Sequence, residues 1–308
     1  MTGLFTLSDG VAGALEKGRP VVALETSVLA QGLPHPHNLR AASAMSEAVR
    51  SAGAEPAWVW IDRGSVRVGA SMEELEHLAA GGRAAKVARR DVPVAVAAGG
   101  PGAATVSATL WAAHRAGIEV MATGGIGGVH LEAGDVSADL FEMARTPGTV
   151  VCSGPKSIVD PGATLERLEE LGVVVLGYRC DRLPFFLLAE APFALEHRAD
   201  TPGEVAAAAR ARAELGVDSA LLVCNPIPEA DALALGVVEE AVEHCVGRAR
   251  EAGVTGKGLT PYLLSCIAEE THGASIGANI ALLRSNAALA GSVARALSGP
   301  ARLMPPGR

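Results

Sequence analysis

Six short, β-prone and nearly continuous apolar runs punctuate this chain, and longer stretches with helical periodicity separate them. The runs are Val21–Leu24, Ala57–Ile61, Glu119–Ala122, Thr149–Cys152, Val173–Leu176 and Ala220–Cys224. Strands that alternate strictly with polar residues have one wet face; runs like these belong to strands covered on both faces. Between the first two runs, Leu39, Ala42, Met45, Val49 and Ala52 recur at three- and four-residue steps, which makes one apolar stripe on a helix. Three helix starts are marked by a capping oxygen followed by Pro: Asp160-Pro161, Thr201-Pro202 and Thr260-Pro261. Thr201 with Glu204 also fits a capping box. Such alternation predicts an α/β fold: a single three-layer α/β/α domain around a central, largely parallel (mixed) sheet. No linker interrupts the chain before Ser298, so the domain is expected over 1–297, with a loose Pro- and Gly-rich tail over 298–308.

Composition excludes several classes of partner. Asp and Glu number 34 against 26 Lys and Arg, a net charge of −8, so the basic footprint that nucleic acid requires is missing. Aromatic residues are 3%, too few for a base-stacking surface. The longest uncharged stretch, between Asp91 and His114, contains Pro93, Pro101 and three Gly, a poor membrane span. The five Cys form no C-x-x-C and have no zinc-finger spacing, so they are expected to be buried free thiols of a reducing compartment. No signal peptide is apparent in the first ten residues, and a cytoplasmic location is expected.

In sheets covered on both faces, ligands bind beyond the carboxyl ends of the strands. Four such places carry unusual residues. Glu25 ends the first apolar run; a carboxylate there can act as an acid or base, or can cap a helix or pair with an Arg. Lys86-Val-Ala-Arg-Arg-Asp91 is a compact basic cluster that can hold a phosphate or simply form a solvated turn. The stretch from Met121 to Asp139 contains Gly124, Gly125, Gly127 and Gly128, which permit close approach, positive φ and anion binding through backbone N–H groups. This G-G-x-G-G pattern is no nucleotide fingerprint, and a sharp structural turn reads equally well. His130, Asp135 and Asp139 follow; such ligands suit Mg²⁺ or Mn²⁺ more than Zn²⁺. Lastly, Lys156 stands just after a buried run. Desolvation there would favour a neutral, nucleophilic amine, whereas a Lys can also snorkel to water.

The stretches VALETSVLAQGLPHPHN, KVARRD, ATVSAT, ATGGIGGVH, DVSADL, GPKSIVD, NPIPE, TPYLL and ANIALLRSNAALA follow one another in this order. In that combination the chain resembles the pseudouridine-5′-phosphate glycosidases, or indigoidine-synthase-A-like family, over roughly residues 15 to 297. The resemblance implies a C-glycosidase that reversibly cleaves pseudouridine 5′-phosphate to uracil and ribose 5-phosphate through a Lys–ribose intermediate of imine type. It implies a homotrimer with one Mn²⁺ per subunit. Carried over by motif, Glu25 is the proton donor, Lys156 the nucleophile and Asp135 the Mn²⁺ ligand. Lys86, Val106, Ser137, Ala138 and Asp139 contact substrate, and His130 and Asn279 line the site. The phosphate falls to Lys86 and to backbone N–H groups around Thr105-Val106-Ser107. Departures from the family pattern are a shorter loop between His130 and Asp135, Pro155 where an apolar residue such as Val is usual, Gln31 where His is frequent, and the stretch Cys180-Asp181-Arg182. Two other readings use the same residues: an aldolase-like sugar-phosphate lyase acting through Lys156, and a non-catalytic sugar-phosphate-binding protein.

Overall fold

The structure is a computed structural model and describes residues 3–79, 84–130 and 135–299. Its strands are β1 Phe5–Leu7, β2 Val21–Glu25, β3 Glu55–Asp62, β4 Ser65–Val68, β5 Ala85–Val87, β6 Gly102–Ala104, β7 Val120–Ala122, β8 Val129–His130, β9 Thr149–Cys152, β10 Val159–Asp160, β11 Val174–Tyr178, β12 His197–Ala199 and β13 Leu221–Cys224. The main sheet runs β1-β4-β3-β2-β7-β9-β13-β11-β12, with β6 attached to β3 and β5 to β6. Pairing is parallel except where β3 meets β4 and β6. All six apolar runs lie in this sheet, adjoining one another as β3, β2, β7, β9, β13 and β11. The mixed, mostly parallel sheet is the one expected.

Consecutive strand residues feed opposite cores, which is why those runs carry no polar alternation. Val22 and Leu24 of β2, with Leu221 and Val223 of β13, enter one cluster; Val21, Ala23, Leu222 and Cys224 enter the other. The first cluster is covered by α2 (His37–Ser51), α8 (Pro202–Glu214), α9 (Leu235–Glu251), α10 (Leu259–Glu270) and α11 (Ala274–Ser298). The second is covered by α1 (Asp9–Glu16), α5 (Val106–Ala116), α6 (Ala138–Met143) and α7 (Pro161–Glu170). The smaller helix α3 (Met72–Ala79) packs on α2 and on the Val28–Gly32 turn, and α4 (Val92–Ala98) packs on β3, β4 and β5. On α2 the stripe buries Ala42, Met45 and Val49, joined by Asn38, Ala41 and Ser46; Ala52 is the capping residue at its end.

Two of the three marked helix starts stand. Asp160 Oδ1 accepts the Ala163 N–H at 2.8 Å and Thr201 Oγ1 the Glu204 N–H at 3.2 Å. The return bond of the box comes from the Asp200 N–H to Glu204 Oε2, not from Thr201. The third start is corrected: α10 begins at Leu259 after Gly258, and Pro261 is its third residue. A helix tolerates Pro there because first-turn N–H groups have no intrahelical acceptor. The thiol expectation is corrected as well. Cys245 of α9 and Cys266 of α10 form a disulfide, leaving Cys152, Cys180 and Cys224 free. Helix packing alone unites two positions 21 residues apart, so no spacing motif announces them. Of the expected tail, Ser298 ends α11 and 300–308 lie outside the described residues. Among the described residues, no helix is long and apolar enough to cross a membrane.

Candidate active site

Glu25 closes β2 inside the protein, 2% exposed. Its carboxylate would be costly at that depth without partners. Thr123, just past β7, donates its hydroxyl to Oε1, and Ser27 donates to Oε2. The neighbouring Thr26 hydroxyl bridges the sheet, donating to Val59 O at 2.6 Å and accepting from the Ala104 N–H at 2.9 Å. The backbone then turns through a π-helical segment, Val28–Gly32, that brings Gln31 to the same side.

Lys156 is delivered by the loop after β9. Its N–H donates to Ile126 O at 2.9 Å, which ties this loop to the glycine-rich one. Gly154 makes the turn at φ +79°, and a Cβ there would lie 1.8 Å from Pro184 O, so no other residue fits. Lys156 is half-buried, flanked on both sides by buried residues. Asn286 of α11 clips the two loops from above: its amide donates to Thr123 O at 2.9 Å and to Ser153 Oγ at 3.1 Å, and accepts from Asn225 Nδ2 at 2.9 Å.

The glycine-rich loop departs from expectation. Gly124, Gly125, Gly127 and Gly128 are absent from the positive-φ residues, so close approach is what they provide. At Gly127 a Cβ would fall 2.3 Å from Ser137 Oγ. Its N–H is not free for an anion, because it donates to Asp139 Oδ2 at 3.0 Å. Asp139 Oδ1 takes the Ser107 N–H at 3.0 Å. Asp139, 6% exposed, therefore staples α5, the glycine-rich loop and α6 together. Of the three amides expected at Thr105-Val106-Ser107, Thr105 N–H goes to Val87 O and Ser107 N–H to Asp139, which leaves Val106.

All ten residues singled out in the sequence line one cleft: Glu25, Lys86, Val106, His130, Asp135, Ser137, Ala138, Asp139, Lys156 and Asn279. It opens at the carboxyl ends of β2, β7 and β9, where such folds bind ligands. Burial pushes the Lys86 ammonium below its ordinary value. The Lys156 charge pushes it the same way; Asp139 and Glu25 oppose both. Burial likewise lowers His130, with Asp135 opposing, so its imidazole is neutral near pH 7. Asp135 is exposed, and residues 131–134 before it, where the chain is shorter than the family pattern, lie outside the described residues. Among the described residues no three His, Cys, Asp or Glu side chains converge on a metal position. Sequence reading missed Ser27, Thr123 and Asn286. The signal for Thr123 was present, since its hydroxyl directly follows an apolar run; Ser27 stands two residues beyond Glu25.

Comparison with known proteins decides the family. The description "Indigoidine synthase A like protein" matches residues 10–296. The chain belongs to the indigoidine synthase A-like family. It is 46% identical over 299 residues to the pseudouridine-5′-phosphate glycosidase of Methylobacterium nodulans, covering 96% of this chain and 89% of that one. It is 46% identical over 301 residues to the glycosidase of the same name from Symbiobacterium thermophilum, covering 96% and 98%. Among solved structures of the fold, the prealnumycin C-glycosynthase AlnA in complex with ribulose 5-phosphate superposes with a TM-score of 0.88 at 38% identity, covering 97% and 98%. In this chain the cleft holding Glu25 and Lys156 is the place where the glycine-rich loop, β2 and β9 meet.

Proposed function

We propose that this protein is a C-glycosidase that reversibly cleaves pseudouridine 5′-phosphate into uracil and ribose 5-phosphate. The observation that carries the reading is the convergence of a buried, hydroxyl-bound carboxylate and a Lys amine in one cleft, in a chain 46% identical to proteins named for that activity.

The chemistry explains why these groups are needed. C5 of uracil is a poor leaving group until it is protonated, and the sugar carbon needs an electron source. The unprotonated Lys156 Nζ bonds to C1′ while the C1′–O4′ bond opens, and O4′ takes the proton that Glu25 supplies. Glu25 next receives the proton the new amine sheds and passes it to C5. The nitrogen lone pair then forms a C=N bond to C1′, the C1′–C5 pair returns to the base, and uracil leaves. Water adds to the iminium carbon and the Lys departs, leaving the aldehyde of ribose 5-phosphate. A covalent route of this kind divides one hard step into easier ones.

Lys86 and the Val106 amide at the start of α5 hold the phosphate, and a dianion bound there supplies binding energy that is used at C1′. Ser137 and Ala138 border the sugar, while Asp139 acts by fixing the loop around it. For Mn²⁺, a lone exposed carboxylate fits a hard ion that keeps most of its waters, so Asp135 would hold it. Bound there, the ion would orient substrate oxygens through its water. We also place the protein in the cytoplasm as a homotrimer; Val136 and Phe141, exposed apolar residues on and just before α6, are surface for a neighbouring subunit to cover. A second reading has AlnA behind it: the same cleft joining ribose 5-phosphate to a different carbon acceptor.

The test is turnover of pseudouridine 5′-phosphate with and without Mn²⁺, followed by chromatography of uracil. Release of uracil and ribose 5-phosphate in equal amounts is expected. No uracil release, with a carbon acceptor consumed instead, would sink the reading in favour of the second.

A further inference from the structure

We propose that Gln31 and Asn279 form the subsite that selects the base, accepting hydrogen bonds from the two ring N–H groups that a C5-linked uracil retains. The proposal rests on the pseudouridine 5′-phosphate reading and extends it to substrate selection.

Each side chain presents a buried amide oxygen, Gln31 Oε1 and Asn279 Oδ1, with no hydrogen-bond partner among the described residues. A buried acceptor without a donor is costly and rare, and it marks a place where a donor is to arrive. Asn279 is 5% exposed, on the face of α11 turned to the cleft. For Gln31 the sense of the amide follows from its other end: Nε2 donates to Ala84 O at 2.9 Å, so Oε1 is the free group. Both residues stand where the catalytic cleft meets a second, largely apolar cavity. Gly32, Phe186, Pro261 and Leu264 form the rest of that shared wall, a surface suited to the faces of a flat ring. The backbone here is unusual in two places. Gln31 lies in the π-helical turn after Glu25, a geometry that recurs at functional sites, and Phe186 is held at φ +55°.

The number of acceptors matches the chemistry of the base. An N-linked uracil is bonded through N1 and keeps a single ring N–H, at N3. Linkage through C5 frees N1, so the ring carries N1–H and N3–H on either side of O2. Two acceptors satisfy that edge. An N-linked pyrimidine would leave one of them buried and unpaired, and sites built on hydrogen bonds reject such analogues strongly.

The experiment measures kcat/KM for pseudouridine 5′-phosphate and for its N1-methyl and N3-methyl derivatives, in the wild type, Gln31→Met and Asn279→Leu. The wild type should disfavour each methylated compound by about 10–100-fold, the value of one hydrogen bond in a buried site. Gln31→Met should raise KM for the parent compound and reduce the discrimination against one methylated derivative to within roughly 3-fold, and Asn279→Leu should do so for the other. Binding of free uracil, 1-methyluracil and 3-methyluracil to the wild type, by calorimetry, asks the same question without turnover or substitution; uracil should bind at least about 10-fold tighter than either. Equal handling of all three compounds by the wild type, or full discrimination surviving in Gln31→Met, overturns the proposal. Selective uracil binding without any cleavage would leave this inference standing and overturn the functional reading instead.

Discussion

Glu25 commits both carboxylate oxygens to hydroxyl donors, Thr123 and Ser27, so its position is fixed before any substrate arrives. Such a group can give and recover a proton at one place without reorganising. Glu25→Gln keeps the size and the hydrogen-bonding capacity but not the proton. It should lower kcat by about 10²–10⁴ with KM little changed, as read from initial rates of uracil release. Lys86 supplies a pH dependence. Burial and the nearby Lys156 lower its proton affinity, so the free enzyme loses this charge at a pH below the ordinary 10.5. Phosphate binding needs the ammonium. Affinity for ribose 5-phosphate should therefore weaken as pH rises through that lowered value, with proton uptake on binding. Calorimetry in buffers of different ionisation enthalpy measures both, and Lys86→Met should abolish the pH-dependent part. That Glu25, Lys86 and Lys156 belong together was legible only by family resemblance. Taken singly, each position allowed a plain structural reading, because the partners that distinguish the two, Thr123 for Glu25 and Lys156 for Lys86, are remote in the chain.

Elements here act as carriers of loops. The six apolar runs are strands because two cores claim their alternate residues, and this much was legible. The short strands β1, β5, β6, β8, β10 and β12, of two or three residues, were not, since so few positions show no period. The glycine-rich segment was legible as a place of close approach, but the positive φ also expected of it is not there. It presses backbone against Ser137, Asp139 and Thr164, whereas the positive φ that Lys156 depends on belongs to Gly154, two residues before it. Gly154→Ala would set a methyl against Pro184 O in a backbone conformation unfavourable to any side chain. We expect a loss of stability of at least about 2 kcal/mol, measured by denaturant unfolding, and loss of activity beyond it at temperatures where the variant remains folded.

Across the whole molecule, α11 joins what the sheet alone leaves separate. It packs on α2, where Gly291 allows close approach to Ala52, and its Asn286 bridges the loops after β7, β9 and β13. The active site thus depends on a helix that begins at residue 274, far in sequence from Glu25. Asn286→Leu would strip partners from the buried Asn225 and Ser153. It should cost about 1–3 kcal/mol of stability and lower kcat, which unfolding curves and rate assays on the same preparation separate. The most direct test concerns Lys156. Sodium cyanoborohydride added during turnover of pseudouridine 5′-phosphate should fix a pentose phosphate on the peptide that contains Lys156, as seen by mass spectrometry, and Lys156→Ala should show neither adduct nor uracil release. An unmodified Lys156 peptide at full turnover, or wild-type rates from Lys156→Ala, would contradict the account.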